Sequence, residues 1–112
     1  MNRFEMQSTE QIINQAEQIL DLRIQMNTAR AELGKSKLLL VLKPRGYGPR
    51  SEYREKCKSI MKNANTVKQL ATALRKELGK MDIKEDDLEI GQALKEAADA
   101  KRQLGFWGRM GL

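Results

Sequence analysis

From Ser8 to Leu33 the chain carries neither proline nor glycine, and its apolar side chains return at helical intervals. Ile12, Ile19, Met26 and Leu33 repeat at seven residues, and Leu22 and Ala29 fill positions three residues after Ile19 and Met26. That spacing predicts one long amphipathic helix over 8–33. Ser8 followed by Gln11 fits a capping box, Phe4 or Met6 can pack over the first turn, and Gly34 stands where a left-handed C-terminal cap belongs. A helix of that length reaches about 37 Å, close to the whole diameter expected of a compact chain of this size. It must therefore span the fold. Ile13, Ala16, Leu20, Ile24 and Ala31 widen its apolar stripe beyond a two-stranded seam, so the helix is expected to touch two neighbours, one in this chain and one in a second subunit.

A second helix is predicted over 51–78. Ser51 is its expected N-cap, Glu52 and Glu55 suit its first turn, and Gly79 is its expected C-terminal cap. Tyr53, Cys57, Ile60, Ala64, Val67, Ala71, Leu74 and Leu78 form a narrow apolar stripe, and Asn63-Ala64-Asn65-Thr66 is a candidate bend. Asp82 with Glu85 offers a capping box for a third helix over 82–104 that runs through Leu88, Ile90, Leu94, Ala97 and Ala98, and in which Asp86, Asp87 and Glu89 complement the positive end. Gly91 is a soft spot there unless a neighbour packs close. Residues 105–112 form an apolar tail whose three glycines are expected to end the helix.

Between the first two helices, residues 35–50 read as an irregular basic connection. Leu38-Leu39-Leu40-Val41-Leu42 fits a short buried strand, a helical continuation or a collapsed plug equally well. Pro44, Gly46, Gly48 and Pro49 then impose a turn. The expected fold is all-α, a single domain: two long antiparallel helices with a third laid across them. The broad stripe on the first helix adds the expectation of a homo-oligomer, a dimer foremost.

Composition narrows the chemistry. With no histidine and one cysteine, the usual general base and the usual zinc sets are missing, and no disulfide can close within the chain. No cofactor, no metal and no enzymatic activity are expected. The acidic cluster at 82–89 does not follow the calcium-loop pattern, and GYGPRS lacks the ending of a phosphate-binding loop. No run approaches the length of a membrane span, so a cytoplasmic protein with no membrane partner is expected.

The net charge of +6 is unevenly spread. Residues 1–33 hold three Lys or Arg against five Asp or Glu, residues 34–68 hold ten against two, and residues 69–112 hold eight against eight. A basic middle third points to an anionic partner, either nucleic acid (DNA or RNA) or an acidic protein surface. Lys43, Arg45, Arg50, Arg54, Lys58 and Lys62 are the expected phosphate contacts, with Tyr47 available to stack on a base. Oligomerisation is expected to multiply those contacts. The alternative reading is a protein-binding adaptor or inhibitor that docks through Phe106, Trp107 and Met110 together with the first helix.

Overall fold

The computed structural model describes the backbone of residues 3–42, 50–83 and 86–109 and the side chains of residues 9–40, 52–83 and 86–105. The described chain is all-α. It consists of α1 (Arg3–Leu42), α2 (Arg50–Lys80) and α3 (Leu88–Arg109). α2 is the shared wall, packing along both α1 and α3, whereas α1 and α3 touch each other little. The course is up, down, up, so α1 and α3 run parallel. α3 lies alongside the first two helices and not across them as expected. The result is a rod with Cα extents of 69 × 20 × 16 Å and a radius of gyration of 18.8 Å. A compact chain of this length would have a radius of gyration of about 13 Å.

On α1 and α2 the core follows the expected stripes. On α2, Ile60, Ala64, Val67, Ala71, Leu74 and Leu78 are buried, with Tyr53 and Cys57 packed against them. On α1 the buried set is Met26, Ala29, Leu33 and Leu40, with Ile19 and Leu22 at its margin. α3 contributes Ile90, Ala93, Ala97 and Ala100, whereas Leu88 and Ala98 of the expected set are exposed, because at 100° per residue they point about 160° and 80° away from Ile90. Ile12, expected in the core, is exposed, because the first turns of α1 project past the ends of the other two helices.

Helix α1 does not stop at Gly34. An interior glycine costs about 1 kcal/mol relative to alanine, whereas burying a leucine side chain contributes about 1.5–3 kcal/mol. Leu33, Ser36 and Leu40 continue the buried stripe, so burial wins and the helix runs on to Leu42, two residues before Pro44. The leucine run is thus a helical continuation, and residues 35–42 belong to α1 rather than to the connection. Asn63 is not a weak point in α2 but a bridge: its Nδ2 donates to Ser36 Oγ at 3.2 Å and to the Glu32 carbonyl at 3.4 Å. Ser36 in turn donates to the Leu33 carbonyl at 2.9 Å.

Other helix ends shift for identifiable reasons. Ser51 lies inside the first turn of α2, which opens at Arg50, and Gly79 lies inside its last turn. The residue in the left-handed region is Asp82, at φ 59°. The Ile83 N–H donates to the Leu78 carbonyl and the Asp82 N–H to the Gly79 carbonyl, the paired bonds of a Schellman ending. Asp82 therefore closes α2 and does not open α3. That role falls to Asp87, whose Oδ1 accepts from the Ile90 N–H at 3.2 Å and whose carbonyl accepts from Gly91 at 3.0 Å. Gly105 likewise fails to end α3, which runs to Arg109. One glycine is a cost and not a stop.

Where α1 and α3 do meet, they are joined by charge. Arg23 grips Asp87 through two parallel hydrogen bonds of 2.6 and 3.2 Å and reaches Glu89 at 3.2 Å. Arg30 grips Glu96 in the same forked way, at 2.8 and 2.9 Å. Asn27 links the two pairs, donating to Glu89 and accepting from Arg30, each at 3.1 Å. The hydrogen bond from Arg23 holds the Asp87 carboxyl below its usual range, that from Asn27 does the same for Glu89, and that from Arg30 for Glu96. The acidic cluster at the start of α3 is thus more than a complement to the helix dipole.

A Cβ added at Gly91 would meet nothing within 4 Å. Gly91→Ala is accordingly expected to stabilise the fold by about 0.5–1 kcal/mol, read as a higher urea midpoint. The lowered carboxyls set the sign of the acid response. Their stabilisation is present above the unfolded carboxylate pKa near 4 and is lost as pH falls through the lower native values. Asp87→Asn keeps a capping oxygen but gives up the charge, and should cost on the order of 1 kcal/mol at pH 7 while flattening the acid slope. Asp87→Ala should cost about 1 kcal/mol more, through the lost cap. Equal losses in the two variants by urea denaturation would remove the cap from this account.

Candidate nucleic-acid interface

The narrow apolar stripe of α2 leaves a broad solvent face, and its composition is one-sided. Arg54, Lys58, Lys62, Lys68, Arg75, Lys76 and Lys80 are all exposed there. At 100° per residue they fall within an arc of about 140°, and they run about 39 Å along the axis. The one exposed acid in α2 is Glu55. It pairs with Lys58 at 3.4 Å, both side chains being about three-quarters exposed, so solvent screens the pair and it does little to cancel the charge. Lys80 meets the half-buried Glu77 at 3.0 Å. Among the described residues Arg54, Lys62, Lys68, Arg75 and Lys76 make no ion pair. Lys56 turns inward and lies 3.7 Å from Glu52.

Of the basic residues singled out in the sequence, Arg54, Lys58 and Lys62 lie together on this ridge. Arg50 opens α2 one turn before Arg54, with its side chain outside the described residues; Lys43, Arg45 and Tyr47 lie outside them altogether. Lys68, Arg75 and Lys80 were not among the expected contacts. Counting charge by thirds of the chain hides Arg75 and Lys80, because the window that holds them also holds the acids of α3. Stepping along α2 by threes and fours would have found them.

Phe106 and Trp107 fall in the last turns of α3, with side chains outside the described residues, and Met110 lies outside them altogether. The up-down-up course brings the end of α1, the start of α2 and the end of α3 to one end of the rod. The first turn of α2 and the last turns of α3 thus share that end.

Cys57 is half-buried, and burial raises its thiol pKa despite a hydrogen bond from Tyr53 that acts the other way. Among the described residues no group of three or more His, Cys, Asp or Glu is placed to hold a metal ion. Nor is any described helix long and apolar enough to cross a membrane. No protein family, curated protein or solved structure matches this chain.

A half-buried thiol with a raised pKa offers little thiolate. Cys57 should react with a disulfide reagent at pH 8 more slowly than free cysteine, and urea should bring the two rates together. A native rate equal to or above that of free cysteine would contradict the burial assigned to it.

Proposed function

We propose that this chain is a non-enzymatic nucleic-acid-binding protein that takes the phosphate backbone on the outer face of α2. The observation that supports this reading is the ridge itself: seven exposed cations spread over about 39 Å against a single exposed acid. Solubility needs only a mixed surface, and the ridge has almost no counter-charge of its own. A straight cationic helix reaches phosphates along one side of a duplex or along a single strand. Among the described residues the ridge offers no aromatic side chain, and its exposed amides, Asn65 and Gln69, are two among seven cations, so phosphate-backbone capture is the mechanism it suits.

The alternative, an adaptor that engages a protein partner through the α3 end and α1, draws support from the apolar side chains that α1 leaves uncovered. The two readings part under mutation.

Fluorescence polarisation with labelled single- and double-stranded oligonucleotides tests the first. If five or six cations each neutralise a phosphate, the logarithm of affinity should fall with the logarithm of salt at a slope of about −5 on duplex DNA. The double variant Lys62→Glu/Lys76→Glu should bind at least about tenfold more weakly, with a slope shallower by about 2. Lys95→Glu/Arg102→Glu makes the same change in net charge on exposed positions of α3 and should bind far better than the ridge variant. Equal losses in the two would reduce the effect to net charge. No binding at about 50 mM salt would end the nucleic-acid reading, and loss of a protein partner on deleting residues 105–112 would establish the other.

A further inference from the structure

Helix α1 carries a second apolar stripe that nothing among the described residues covers. Ile13, Leu20, Ile24 and Leu38 are 53%, 60%, 58% and 56% exposed, and Ala31 is exposed between them. Ile13, Leu20, Asn27 and Gly34 recur at seven residues, as do Glu17, Ile24, Ala31 and Leu38, and the two sets interleave at steps of three and four. This is the alternation of a coiled-coil seam. It lies on the side of α1 away from the buried set Met26, Ala29, Leu33 and Leu40, and runs about 37 Å.

We infer that this face pairs with the same face of a second copy of the chain, the two α1 helices running antiparallel. The pattern is complementary to itself in that direction alone. Turned end for end, Ile13 meets Leu38 of the second copy, Leu20 meets Ala31, and Ile24 meets Asn27. Large residues lie over small ones near the middle. Glu17 then faces Gly34, where a side chain would meet nothing within 4 Å, and Lys35 of the second copy stands beside that gap. A two-fold axis supplies this Glu17 and Lys35 match twice.

Charge selects the same direction. Glu10, Glu17 and Asp21 are exposed on the N-terminal half of α1, while Lys35 borders the seam on the C-terminal half. Glu32 and Lys37, one residue on from Ala31 and one before Leu38, flank the seam on opposite sides and offset each other. A parallel pair would stack Glu17 on Glu17 and Lys35 on Lys35. Asn27, the uncharged polar residue in the seam, already donates one N–H to Glu89 and accepts from Arg30, so covering it leaves a single amide N–H to pair. Two such strips with their flanks cover on the order of 1,000 Å², enough for a specific interface.

Sedimentation equilibrium at micromolar concentrations should give a mass twice the 12.8 kDa of the chain. Leu20→Glu/Ile24→Glu should give the monomer with unchanged helical circular dichroism, since both positions are exposed in the single chain. A monomeric wild type, or a dimer indifferent to this double variant, overturns the inference. Direction is read in a Cys57→Ser background under mild oxidation. A mixture of Ile13→Cys and Leu38→Cys chains should cross-link across the seam, and Ile13→Cys alone should not. Cross-linking of Ile13→Cys with itself would make the pair parallel and overturn the antiparallel assignment.

Discussion

Everything in this fold leans on one side of α2. Its apolar stripe must serve two helices at once, and it does so with a run of mostly modest side chains: Ala64, Val67 and Ala71 between Ile60 and Leu74. α3 answers with Ala93, Ala97 and Ala100, all buried. Alanine on both sides lets the backbones approach closely and gains contact without the rotamer cost of longer side chains. Because one stripe takes both neighbours, the opposite face of α2 is left wholly to solvent. The cationic ridge is the other half of the same amphipathic helix, and no separate element is needed to present it.

A shared wall fixes neither how far α1 slides along it nor where α3 starts. Two polar devices do that. The forked pairs of Arg23 with Asp87 and Arg30 with Glu96 lie seven and nine residues apart on their two helices, so a shift of one turn would break both. Asn63 holds α1 to α2 in the same sense, through Ser36 and the Glu32 carbonyl. Apolar burial supplies most of the free energy and little of the register, while these charged and amide contacts contribute less energy but are geometrically exacting. The exposed parts of the pairs are screened, so their value lies in alignment more than in stability.

The helices, and the buried faces of α1 and α2, were legible in the sequence because period is a local property: Met26, Leu33, Ile60 and Leu74 are where the spacing puts them. On α3 the buried face was read only in part, since Leu88 and Ala98 are exposed and Ala93 and Ala100 are buried in their place. The ends were not legible. Gly34 and Gly105 read as stops, yet each sits inside a helix; at Gly34 a local cost of about 1 kcal/mol is outweighed by tertiary burial beyond it, at Leu40, that no short window contains. Asp82 and Asp87 are chemically identical candidates for an N-cap, and only the Schellman closure of α2 assigns one to each helix. Arg23 and Arg30 gave no signal at all. Their partners lie more than sixty residues away, and nothing in one sequence links those positions. Of the candidate interface, Arg54, Lys58 and Lys62 came from the basic middle third of the chain, and Arg75 and Lys80 were lost to that linear window.

The placement of the two unused faces bears on how binding scales with assembly. From α1, the uncovered stripe lies opposite the buried one that meets α2; from α2, the ridge lies opposite the stripe that meets both neighbours. The two faces therefore look away from each other across the rod. Two bundles joined through α1 would carry their ridges on opposite outer surfaces, separated by the thickness of both. A short duplex cannot lie on two surfaces that face apart, so pairing would not multiply the contacts made to one such ligand. It would instead join two separate phosphate backbones, or two distant parts of one long strand, with the second capture governed by the effective concentration of the second ridge. Were the seam and the ridge on one side, dimerisation would raise affinity for a short oligonucleotide. Set on opposite sides, it would raise valency and leave that affinity nearly unchanged.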